Sequence, residues 1–182
     1  MLRDLSNTRE ILENFKDEVV RKSKKRFLRK YKFQKYRSTP GKLYKSINGK
    51  VDVFENSISV KFPFMMDINY AKFVDQGVSG MNRKVKSIYK FGSGTGPKEG
   101  LTQGIKKYVR NKGFQFRSKD GKFLSYDSTA FLIIRKIWNK GIPGKFFFSR
   151  SFDEEYRNLP DELNKAFGLD IKKKFKEFTT KK

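Results

Sequence analysis

Apolar positions recur at helical spacing from residue 7 to about 36: Ile11, Leu12, Phe15, Val19, Phe27, Leu28 and Tyr31. Ser23 fills the gap between Val19 and Phe27. Asn7 with Glu10 three residues later forms a capping-box pair. The pattern predicts one long helix within residues 1–37, ended by the breakers Ser38-Thr39-Pro40-Gly41. Residues 43–47 add a further turn. Residues 50–54 and 57–62 then alternate apolar and polar around Glu55-Asn56, which predicts a β-hairpin. Residues 67–76 read as a strand end and a short helical turn leading into Gly77.

The second half is patterned more loosely. Gly, Ser and Lys dominate residues 81–100, the composition of a flexible loop. Residues 101–111 suit a short helix with Ile105, Tyr108 and Val109 inward, closed by Gly113. Residues 114–116 and 122–124 flank a Ser118-Lys119-Asp120-Gly121 turn. Asp127 or Ser128 is placed to cap an apolar helix over 129–139, which ends at Gly141. Residues 142–148 read as a turn and a short buried segment. A helical region follows over 153–178, interrupted near Pro160 and Gly168, and the basic tail 172–182 is expected to fray. The resulting class is α+β: a long N-terminal helix, a mainly antiparallel β-sheet packed by helices, and a helical C-terminus, in a single domain over 1–182.

Charge changes this picture most. The 182 residues carry 43 Lys and Arg against 19 Asp and Glu, a net +24. Such an excess points to a polyanion, an acidic partner surface or a crowded assembly. Lys and Phe are also favoured by an A/T-rich coding sequence, but codon bias does not explain clustering. The absence of Cys and His excludes disulfides, thiolate metal sites, Ser-His-Asp triads and HExxH proteases. No apolar run approaches a membrane span, and the N-terminus lacks the apolar core of a signal peptide. A soluble chain made in a cytoplasm is expected, with no cofactor and no metal.

Candidate chemistry is sparse. In the 92–98 stretch Lys98 precedes Glu99 where a phosphate loop needs Ser or Thr, so a plain loop is the reading. Asp52, Glu55, Lys61, Asp67 and Asp75 are the carboxylates and cation of a conceivable Mg²⁺ nuclease. Asp52 and Glu55, however, have opposite parity on their strand. Basic residues interleave with aromatics twice. Phe27, Tyr31, Phe33 and Tyr36 lie in one cluster; Tyr89, Phe91, Tyr108, Phe114 and Phe116 lie among the cations of 83–122. Cations with exposed rings suit non-sequence-specific nucleic-acid binding, whereas buried rings would be ordinary core. No nucleic-acid module motif is present.

Three segments matter together: Thr39-Pro-Gly-Lys-Leu-Tyr-Lys-Ser-Ile47, Asn69-Tyr-Ala-Lys-Phe-Val-Asp-Gln-Gly77 and Gly141-Ile-Pro-Gly-Lys-Phe-Phe-Phe148. In this order, after a long helix, they resemble the tail-completion or head–tail joining (neck) proteins of tailed bacteriophages. The resemblance covers most of residues 10–160, and rests on Gly41, Leu43, Ser46, Tyr70, Ala71, Val74, Asp75, Gly77, Pro143, Phe146 and Phe147 as motif and interface candidates. It implies a non-catalytic α+β subunit of a closed ring in the virion neck, assembled in the host cytoplasm. Its partners would be copies of itself, portal- or adaptor-side proteins and tail proteins, with non-specific contact to packaged DNA and no membrane. The stretch 81–125 and the basic first helix depart from the family pattern.

The ring reading constrains the charge. Duplex DNA presents one negative charge per about 1.7 Å, so a channel of about 40 Å meets about 24 of them. One subunit alone carries +24. Most cations of a ring must therefore face elsewhere, and Lys25, Arg29, Lys32 and Lys35 are expected to face an acidic partner or solvent outside the channel.

Overall fold

A computed structural model describes residues 5–31, 41–55, 57–68, 70–82, 87–91 and 99–180. Contacts group the chain into two compact units, Met1–Asp75 with Lys145–Lys182, and Gln76–Gly144. The second unit takes in all of the 81–125 stretch. The architecture is α+β, with two small antiparallel sheets.

The first unit is built on α1, Ser6–Tyr31. Leu12, Phe15, Val19 and Phe27 are buried along it, as their spacing predicts; residues 32–37 of the expected helix lie outside the described ones. After α2 (Lys42–Ser46), β1 (Lys50–Val53) and β2 (Ile58–Lys61) pair antiparallel with Val51 opposite Val60. Among the described residues no strand end forms near residue 67, where the short helix α3 (Phe64–Asp67) ends; the expected helical turn before Gly77 is α4 (Ala71–Gln76). Pro63, already in helical conformation, starts α3. The C-terminal region is α7 (Ser149–Tyr156) and α8 (Leu159–Thr180). The break falls just before Pro160, which sits in the first turn of α8, where a missing N–H is tolerated. Gly168 does not break α8, because one glycine costs a packed helix only about 1 kcal/mol. Much of the basic tail is accordingly helical.

The expected Asn7–Glu10 capping box does not form, because α1 begins one residue earlier. Its N-terminal donors go to the buried Asp170 of α8 instead. That carboxylate accepts from Thr8 N (2.9 Å), Thr8 Oγ1 (2.7 Å), Asn7 N (3.1 Å) and Asn7 Nδ2 (2.8 Å). Burial pushes the Asp170 carboxyl up, but these four hydrogen bonds outweigh it and hold the group below the usual carboxylate range. A lowered native pKa means stability that is present above the unfolded pKa of about 3.9 and lost as pH falls through the native value. The Asp170 contribution is thus expected to be flat near neutrality and to fade only in acid below about pH 4. Asp170→Asn should flatten that acid limb in pH-dependent urea melts; an unchanged limb would assign it to other carboxylates.

Ser23 sits fully buried in α1 with its hydroxyl unpartnered among the described residues. An unpaired hydroxyl is costly and Ser is a poorer helix former than Ala. Ser23→Ala is expected to stabilise by about 0.5–1 kcal/mol. A lowered denaturation midpoint would show that the hydroxyl has a partner.

In the second unit β3 (Gly77–Val78) pairs antiparallel with β4 (Ile142–Pro143). The helices α5 (Glu99–Lys112) and α6 (Tyr126–Lys140) enclose a small core of Val109, Ala130 and Ile134. Tyr108 is 55% exposed rather than inward, because the core meets α5 only on the narrow face around Val109. Ser125, not Asp127 or Ser128, caps α6, accepting from Ser128 N. Part of the expected flexible loop is tied down: Ser79 N donates to Tyr89 O at 2.8 Å, and Phe91 N to Ser79 O at 3.3 Å. Residues 83–86 and 92–98 of that loop lie outside the described ones.

Candidate functional site

The three segments that carry the family resemblance meet in one place. Leu43 and Ile47 from the first, Ala71 from the second and Phe147 from the third are buried in a single apolar cluster with Phe27, Phe64 and Ile68. Phe147 is fully buried, with its ring edge-on to Phe27 at 5.2 Å. Val74 and Phe148 pack at the margin of the same cluster.

Asp75 joins the second segment to the third. It is fully buried, and its carboxylate faces the start of α7. Oδ1 accepts from Phe148 N at 2.8 Å, Oδ2 accepts from Ser149 N at 3.2 Å, and the Ser149 hydroxyl donates to Oδ2 as well. These are donors that a helix N-terminus leaves unpaired, satisfied here by an anion from a distant segment. Backbone bonds support the junction: Lys145 N donates to Val74 O at 3.0 Å and Phe146 N to Asp75 O at 2.7 Å. Phe146 adopts φ 48°, a conformation rare for a bulky residue, and this bend delivers Phe147 to the core.

The motif candidates therefore divide. Leu43, Ala71, Asp75, Gly77 and Phe147 are buried, and Val74 and Ser46 are half-buried. The Ser46 hydroxyl donates to Leu43 O at 2.9 Å. Gly41, Tyr70, Pro143 and Phe146 remain at the surface, and Tyr70 is 46% exposed.

On α1 the basic half is two-sided. Lys22 pairs with Glu155, and Arg26 pairs with Glu154 at 2.6 Å and bonds Ser151 Oγ at 3.0 Å. Ser151 Oγ in turn donates to Phe147 O at 2.7 Å. The Arg26 guanidinium holds the Glu154 carboxyl below its usual range. α7 of the same chain thus sets an acidic run against Lys22 and Arg26. Asp153-Glu154-Glu155 is the only run of three acidic residues in the sequence, a signal that could have located it. Lys25 and Arg29 face solvent, while Lys32 and Lys35 lie outside the described residues.

The carboxylates considered for metal chemistry have separate tasks. Asp52 is paired with Lys61 (2.8 Å) and Lys50 (3.3 Å), Asp75 caps α7, and Asp67 is exposed. Among the described residues no three acidic side chains come together. No described helix is long and apolar enough to cross a membrane.

The two aromatic–basic clusters behave differently. Phe27, in the first, is core, and its companions Phe33 and Tyr36 lie outside the described residues. In the second, Tyr108, Phe114 and Phe116 are exposed, at 55%, 44% and 37%, whereas Tyr89 and Phe91 are half-buried and Phe91 packs on Trp138 at 5.8 Å. Phe123, which sequence reasoning did not single out, is 61% exposed.

No protein-family model, no curated protein and no solved structure matches the chain.

Proposed function

We propose that this chain is a structural subunit of a tailed-phage neck, a tail-completion or head–tail joining protein that forms a ring between the portal side and the tail and lets DNA pass. The observation that carries the reading is the convergence of the three motif segments on one core, with Asp75 tying the second to the third. Buried motif positions act by shaping the subunit; Tyr70, Pro143 and Phe146 are left as surface positions for neighbours. Lys25 and Arg29 extend the exposed basic face toward an acidic partner.

Disrupting the gene in the phage that carries it is expected to give heads and tails that fail to join, seen by electron microscopy. Intact joined virions would overturn the reading. Charge reversal at Lys25 and Arg29 is expected to lower joining efficiency without altering the fold; joining unchanged with only DNA retention affected would place these cations on the DNA path. The role is non-catalytic. Purified protein with plasmid and Mg²⁺ or Mn²⁺ should leave the DNA intact, and cleavage abolished by Asp52→Ala or Asp67→Ala would reverse that assignment.

A further inference from the structure

We infer that the Gln76–Gly144 unit carries a site for unpaired nucleic acid, centred on the finger formed by residues 114–124. The inference is independent of the ring reading. The two arms of this finger meet in a single antiparallel bridge between Arg117 and Phe123, and Ser118 N donates to Lys122 O at 2.8 Å across the turn. Phe116 N donates to Thr129 Oγ1 at 3.2 Å, which fastens the base of the finger to α6.

Charge selects an anionic partner. Residues 76–144 hold 15 Lys and Arg against 3 Asp and Glu. One of the three, Asp127, is already engaged by Arg110 at 3.2 Å and Lys106 at 3.7 Å. Lys119 and Lys122 stand exposed at the tip of the finger.

The rings select an unpaired strand over a duplex. Phe114 and Phe116 lie edge to face at 5.1 Å, and the Arg117 guanidinium sits 4.4 Å from the centre of the Phe123 ring. Phe116 is 37% and Phe123 61% exposed, so an unpaired strand laid along the finger meets more than one ring. Duplex bases are stacked on each other and offer exposed rings nothing, whereas unpaired bases stack on them. An acidic protein fits less well. Protein interfaces gather apolar residues at a centre depleted in Lys, while here Lys and Phe are interleaved.

The test is fluorescence anisotropy of the full-length protein with a labelled oligothymidine, a mixed-sequence single strand, a duplex of equal length and poly-glutamate. Single strands are expected to bind at least about tenfold tighter than duplex, with affinity falling steeply between about 50 and 200 mM salt. Phe116→Ala and Phe123→Ala should each weaken single-strand binding about tenfold, and Phe123→Trp should retain it. Lys119→Glu with Lys122→Glu should weaken binding to every nucleic acid and reduce the salt slope. Far-ultraviolet dichroism checks that these surface variants stay folded. Equal affinity for duplex, indifference to ring removal in folded variants, or equally tight poly-glutamate binding would each overturn the site, the last in favour of an acidic protein.

Discussion

Asp75→Ala is expected to cost the first unit about 3 kcal/mol or more, since each buried donor left unpaired costs about 1–3 kcal/mol. The carboxylate is fully buried and accepts from two backbone N–H groups and one hydroxyl at the head of α7. Alanine strands all three and removes the negative charge that faces the helix dipole. The damage should spread, because α7 also supplies Glu154, Glu155 and Ser151 to α1. Asp75→Asn keeps one accepting oxygen but turns an NH₂ toward donors, so an intermediate loss of about 1–2 kcal/mol is expected. Urea unfolding followed by dichroism checks the order wild type, Asn, Ala. A shift below about 1 kcal/mol for alanine would mean that water or a rearranged backbone serves these donors.

The ease of reading the sequence tracked how local the determining forces are. The buried stripe of α1 and the Val51–Val60 hairpin follow from periodicity within a few residues, and both appear as expected. Caps were harder: the α6 cap is local but falls on Ser125, two or three residues before the expected position, and the α1 cap has a remote partner. Asn7 looked like a local capping acceptor, but Asp170, 163 positions away, serves that helix end. Asp75 was visible as part of a motif, yet its task depends on Ser149, 74 positions on, which no spacing rule connects to it. Ring burial was equally illegible. Phe27 and Phe116 both sit among cations, but Phe27 packs on Phe147 and Tyr44 while Phe116 stands exposed on a finger outside the small core of Val109, Ala130 and Ile134. Composition cannot tell these apart, because burial depends on how much of the chain is available to cover each ring.

Gly77 tests the same motif from the other side of Asp75. It has φ +78°, and a Cβ there would lie 2.4 Å from Gly144 N and 2.5 Å from Ile142 O. Both are backbone atoms of the β4 region, so no side-chain rotation relieves the clash. Gly77→Ala must either separate β3 from β4 or distort both. Gly121 is an internal control: it has the same φ of +78°, but nothing lies within 4 Å of its Cβ position. Gly121→Ala should cost only the left-handed conformation, about 1–2 kcal/mol. Gly77→Ala adds overpacking against fixed backbone, about 1–3 kcal/mol more, for a total of about 2–5 kcal/mol. The two variants compared by denaturant unfolding separate conformational strain from contact. Hydrogen exchange adds a local reading, since the β3–β4 amides should lose protection in Gly77→Ala and keep it in Gly121→Ala. Equal losses in the two variants would show that β3 and β4 can part without consequence, and the close approach at Gly77 would then have no part in holding the second unit together.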